Sequence, residues 1–280
     1  MNWRSIVLKK KVLKIIKYTF LALAASIGIF PFLLVFLTSI KTRVDAIAMP
    51  PKWFFTPTFT NYIEELFNKD FINTAKNSLI IAGGATLIST FLGIFGGYIL
   101  VRFKFIGSRL LSQSILWIRM VPPIVFVIPY FVIWSKLRMA DTYFALITMY
   151  ITIALPLITW MMYSFFQEIP IEIEEAALVD GCNRWQTLRY VLIPTVFPGI
   201  FAASSLSFIL LWNEFLFALF ITGRVTRTLP VEIYSSIGYY EMNWAKLSTI
   251  TVVAIIPAII FISLTQKYIV RGLTMGAVKE

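Results

Sequence analysis

Histidine is absent from this chain of 280 residues, and Cys182 is its only cysteine. The first absence removes the side chain that most often acts as a general base or metal ligand near neutral pH. The second excludes an intrachain disulfide and a thiolate metal cluster. No G-x-x-x-x-G-K-[ST] stretch occurs, so the chain carries no recognisable phosphate cradle of its own. Acidic groups are scarce too: fourteen Asp and Glu against twenty-five Lys and Arg leave a net charge of +11. These gaps predict a protein that is not an enzyme and holds no metal or cofactor; any energy it uses enters from a partner.

What fills the chain is apolar. Hydrophobic residues make up 59% of it, and the mean hydropathy is +0.81, which argues against a nucleic-acid binder despite the positive charge. Six long apolar runs stand out, at 18–40, 78–101, 110–134, 142–166, 195–222 and 247–269. About 20 residues at helical rise span a bilayer core, so each run predicts a transmembrane helix. The first run is too long for the apolar core of a signal peptide and is read as an uncleaved span. The predicted class is therefore an all-α membrane protein of six transmembrane helices, with membrane lipid around it.

Six of the first seventeen residues are Lys or Arg, which places segment 1–17 in the cytoplasm by the positive-inside rule. Six spans, filling 18–269, return the tail 270–280 to the same side. The short loop 102–109 agrees, whereas the outer loop 41–77 carries five cations and dilutes the contrast. That outer loop holds an amphipathic candidate, TNYIEELFNKDF, with Asn61 as cap and Tyr62, Ile63, Leu66 and Phe67 on one face. Small residues recur at every fourth position in span two (Ala85, Ser89, Gly93, Gly97) and span five (Gly199, Ala203, Ser207). Such ridges let backbones approach closely, within one subunit or between two.

Between spans four and five, loop 168–194 gathers five of the fourteen carboxylates, from Glu168 to Asp180. Pro170 opens a helix, Gly181 is a natural left-handed stop, and Asn183 with Gln186 forms a capping pair for a second helix. Residues 170–193 therefore read as two short helices around a glycine turn. Glu172 and Glu175 share a face with Ala176 and Val179, a combination of charge and small apolar groups that suits a groove on another protein.

Arg119 and Glu214 are the only ionisable residues well inside the predicted spans, and such charges mark functional sites by default. On straight helices they lie roughly 14 Å and 28 Å from the inner ends of their spans, so a direct pair needs strong tilt or broken helices; Pro122 and Pro123 supply one break. Trp212, Asn213, Glu214, Phe215 and Phe217 cluster near the outer part of span five. Aromatic faces with an amide and a carboxylate suit a sugar in a translocation path; an interfacial aromatic belt with a structural carboxylate is the other reading.

The spacing Glu175-Ala176-Ala177, then Gly181, then Val191-x-Ile193-Pro194 resembles the EAA motif of prokaryotic ABC importer permeases. Valine and isoleucine stand where the motif has isoleucine and leucine, and Cys182 replaces a common alanine. PTFTNY, NSLIIA, GYILVRFKFIG, WNEFLFAL and the closing GLTMGAVKE extend the resemblance over nearly the whole chain, to the carbohydrate-uptake branch of the maltose-transporter MalG type. The resemblance implies a type I ABC importer permease, half of a translocation pathway for a di- or oligosaccharide in a prokaryotic inner membrane. Its partners would be a second permease, an ATP-binding subunit dimer and an extracellular or periplasmic solute-binding protein. It further implies that Glu172, Glu175, Ala176, Asp180 and Gly181 couple to the ATPase, with Glu175 facing a basic residue there. Gly276 and Lys279 would lie near the ATPase dimer interface. An ion-driven secondary transporter and an intramembrane enzyme are the competing classes; no inverted repeat supports the first, and no acid/base pair the second.

Overall fold

A computed structural model describes residues 3–237 and 242–275, so Gly276 and Lys279 lie outside the described residues. Among these the chain is helical: α1 (Trp3–Ser39), α2 (Arg43–Ala46), α3 (Thr60–Leu66), α4 (Lys69–Arg102), α5 (Ser108–Met120), α6 (Ile124–Lys136), α7 (Tyr143–Glu168), α8 (Ile171–Val179), α9 (Arg184–Thr187), α10 (Ile193–Trp212), α11 (Leu216–Ile221), α12 (Leu229–Ser235) and α13 (Trp244–Met275). A π turn, Leu188–Leu192, joins α9 to α10. Five helical stretches are long and apolar enough to cross a membrane, and six if α5 and α6 count as one span bent by 95°. Pro122 and Pro123 sit at that bend, where missing amides prevent the helix from continuing.

The chain divides into two compact units, 1–67 with 236–253 and 68–235 with 254–280. In the first, the carbonyl groups left open at the end of α1 are collected by distant side chains. Asn61 donates to Ser39 O at 3.4 Å and Lys41 O at 3.1 Å, and Thr249 Oγ1 donates to Ser39 O at 3.2 Å. Those bonds explain a departure from the sequence reading: Asn61 does not cap α3, whose first residue is Thr60 and which has no side-chain cap. The expected apolar face is largely open to its surroundings. Tyr62 shares a 2.6 Å hydrogen bond with Ser39, Ile63, Leu66 and Phe67 are exposed, and the buried residue is Glu65, paired with Lys246 at 2.8 Å.

In the second unit, α4 begins at Lys69 rather than at 78, because Asn68 accepts the amide of Asp70 at 3.0 Å and starts the helix early. Ala85, Ser89, Gly93 and Gly97 are buried along α4, and this ridge lies on α7. A β-carbon on Gly93 would sit 2.7 Å from Ile158 Cγ2, and one on Gly199 2.6 Å from the ring of Phe165. The small residues therefore serve packing inside one subunit. Thr90 and Ser204 add a 3.0 Å hydrogen bond between α4 and α10.

Asp141 organises the far end of the same unit. It adopts a left-handed φ of 58°, and its carboxylate accepts from Val225 N at 3.1 Å, Thr226 N at 2.9 Å and Thr226 Oγ1 at 2.7 Å. Nearby, Asn77 donates to Val225 O and Arg227 O at 2.8 and 3.0 Å. Burial pushes the Asp141 carboxyl up, but the hydrogen bonds from Thr226 and the backbone amides outweigh it and hold the group below its usual value. Its stabilisation is thus complete above the ordinary carboxylate range and is lost as pH falls through the depressed value. Asp141→Asn keeps a residue that tolerates this backbone while removing the charge. It is expected to cost about 1–3 kcal/mol at neutral pH and to match the parent in strong acid, as thermal unfolding in detergent across pH will register.

Candidate functional site

The carboxylate-rich loop folds into an elbow. Glu172 and Glu174 lie in the first turn of α8, where negative charge favours the helix dipole. At the other end Gly181 turns left-handed at φ +89°. Gly181 N donates to Leu178 O at 3.1 Å and Cys182 N to Ala177 O at 3.0 Å, the paired closure of a Schellman stop. Asn183 and Gln186 then exchange hydrogen bonds of 2.9 and 2.8 Å in the capping box that starts α9. One expectation is corrected. The second helix does not end before span five, because α9, the π turn and α10 run on from Arg184 to Trp212. Pro194 has no amide for the carbonyl of Tyr190, and Ile193 N instead reaches Leu188 O, a widened turn that carries the helix past the proline.

The two faces of α8 differ sharply. Glu172, Glu175, Ala176, Val179, Asp180 and Gly181 are all exposed, and Val179 keeps 87% of its surface open at the tip of the elbow. On the opposite face Glu174 is buried at 5% exposure. It accepts from Arg102 Nε at 2.7 Å and Tyr98 OH at 2.7 Å, and Arg102 Nη2 also donates to Ile169 O at 2.9 Å. Phe103 stands edge-on to Tyr98 at 5.9 Å and receives the Arg184 guanidinium over its ring at 5.1 Å. Trp185 stacks on Phe95 at 5.9 Å. Sequence reasoning read Glu174 only as negative charge at the start of the first helix and passed over Arg102, Tyr98 and Trp185. A carboxylate at the apolar spacing of α8 was the available signal for Glu174, but its cation is 72 residues away in sequence.

The second predicted cluster is dispersed. Span five stops at Trp212, so the depth assigned to Glu214 on a straight helix does not apply. The chain breaks at Asn213 and Glu214, and the Glu214 carboxylate accepts from Phe217 N at 2.9 Å and Ala218 N at 3.3 Å, filling the open donors at the start of α11. Trp212 turns inward: it is 5% exposed, and its Nε1 donates to Ala254 O at 3.2 Å. Asn213 is exposed, with its Nδ2 donating to Ile209 O at 2.8 Å. Arg119 forms none of the ion pairs among the described residues. It lines a pocket of about 150 Å³ at the α5–α6 bend, together with Ile118, Thr152, Pro156 and Phe217. Arg119 and Phe217 are thus brought together, whereas Arg119 and Glu214 are not paired.

Residues 89–275 match the family described as "Binding-protein-dependent transport system inner membrane component". The sulfoquinovosyl glycerol transport system permease protein SmoH of Agrobacterium fabrum is 34% identical over 263 residues, which cover 92% of either chain. The trehalose/maltose transport system permease protein MalG of Thermococcus litoralis is 35% identical over 261 residues, 92% of this chain and 94% of its own. Among solved structures, a chain of a bacterial ABC transporter involved in the import of the acidic polysaccharide alginate superposes with a TM-score of 0.78 at 22% identity, covering 93% of this chain and 97% of that one.

Proposed function

We infer, from the premise that this chain belongs to the binding-protein-dependent transport system inner membrane components, that it is the permease subunit of an ATP-driven importer of a di- or oligosaccharide. As a family member it is a multi-pass membrane protein and a non-catalytic subunit; ATP is hydrolysed by a separate chain. Both termini face the cytoplasm, in keeping with the basic N-terminal segment. A second, homologous permease supplies the other half of the path. The tail around Gly276 and Lys279 reaches the ATPase dimer.

A single observation carries the coupling role: the α8–Gly181–α9 elbow holds Glu172, Glu175, Ala176 and Asp180 outward, while its inner face is bound by hydrogen bonds to the spans. An exposed acidic and apolar knob on a stiff support suits a groove lined by basic residues. The pocket that includes Arg119 and Phe217 belongs to the translocation path, with Asn213 exposed at the break in span five. Glu214 and Trp212 support that break from behind.

Proteoliposomes test the reading. Complexes holding this chain, its companion permease, the ATPase dimer and the binding protein are expected to accumulate one of a panel of radiolabelled di- and oligosaccharides with ATP, and none without it. Accumulation by this chain alone, with no nucleotide, would contradict the assignment.

A further inference from the structure

We propose that Arg102 is a positioning residue that stiffens the joint between α7 and α8, so that a force applied to the elbow moves the membrane spans instead of flexing the joint. The proposal deepens the coupling role given above and rests on it.

The joint is Ile169–Pro170, where the chain leaves α7 in extended backbone before starting α8. Ile169 is buried at 7% exposure, but packing around the joint is incomplete. A cleft of about 140 Å³ opens against Ile169, Pro170 and Ile173, with Phe165, Glu168 and Gly199 on its other walls. Ile171 and Ile173 remain 52% and 41% exposed. What bridges the joint is one guanidinium from the end of α4. Its Nη2 takes the Ile169 carbonyl before the proline, and its Nε takes the Glu174 carboxylate one turn beyond it. The rigid fork of arginine can hold two acceptors at a fixed mutual angle, which a lysine ammonium cannot.

The surroundings keep the fork in place. The Arg102 and Glu174 side chains are only 9% and 7% exposed, so the pair is little screened by salt. Tyr98, one turn back on α4, binds the second carboxylate oxygen at 2.7 Å and stands edge-on to Phe166 of α7 at 5.7 Å. The end of α4 and the consecutive helices α7 and α8, distant from it in sequence, therefore meet at one charge pair. The exposed carboxylates of the elbow take no part in it.

The test uses the assembled complex with its ATPase subunits, in a Cys182→Ser background. A cysteine placed at Ile118, on the pocket wall, reports the state of the path through its rate of reaction with a maleimide. ATP with vanadate is expected to change that rate at least tenfold in the otherwise unaltered chain and less than threefold in Arg102→Met. The double variant Arg102→Met with Glu174→Gln leaves no buried unpaired carboxylate and should lose the response equally, which separates the joint from a folding defect. Spin labels at Gln167 and Leu178, on either side of the joint and off the docking face, should give an interlabel distribution at least twice as broad in Arg102→Met, with Arg102→Lys between the two. A full nucleotide response in the double variant, or an unbroadened distribution, overturns the joint while leaving the docking role intact. An unaltered chain that ignores nucleotide overturns both.

Discussion

Glu175→Lys is expected to abolish ATP-dependent uptake while the protein still inserts and folds. The side chain is exposed on α8 and accepts no hydrogen bond and forms no ion pair among the described residues, so its replacement removes nothing from the interior. What changes is the sign of the outward face. Placing like charges opposite each other across an interface costs several kcal/mol, and every 1.4 kcal/mol is tenfold in affinity. Copurification of the ATPase subunit is therefore expected to fall by about 100-fold or more, and uptake with it. A Glu175→Lys complex that keeps its ATPase and its transport would disprove the role given to this residue. Glu174→Lys is a different experiment, since that carboxylate faces inward and its loss disturbs the spans.

A single methyl group at Gly97 should be nearly as damaging, for a reason confined to the fold. The added β-carbon of Gly97→Ala would lie 2.6 Å from Met162 Cβ and 2.8 Å from both Met162 C and Tyr163 N. Two of these three atoms are α7 backbone, which cannot turn aside as a flexible side chain can. Overpacking of a close-packed interior typically costs about 1–3 kcal/mol, and contact with backbone puts this site at or above the upper end. Gly83 is the control, because a β-carbon there has nothing within 4 Å. Thermal unfolding in detergent should show Gly83→Ala unchanged and Gly97→Ala lowered by about 3 kcal/mol. Equal stability of the two variants would mean that α4 and α7 are not in the close contact described.

Much of the site was legible beforehand because its determinants are local. The left-handed turn at Gly181 and the reciprocal bonds of Asn183 and Gln186 depend on residues at most five positions apart, so residue type and spacing suffice to predict them. The same holds for the break at Pro122 and Pro123. Local rules failed where a distant group competed. Asn61 has the chemistry of a cap, but open carbonyls at the end of α1 claim it. Glu214 has the chemistry of a path-lining charge, yet the amides of α11 claim both its oxygens.

Apolar run lengths determined, from sequence alone, that this chain crosses a membrane several times, and short-range capping chemistry determined where its elbow turns. The tertiary structure decided which carboxylate of the elbow looks inward, which cation meets it and which helix each glycine serves. Hydropathy and caps are properties of neighbouring residues, whereas Arg102 meets Glu174 only after α4, α7 and α8 have packed, and that register is set by contacts between segments that no spacing rule connects.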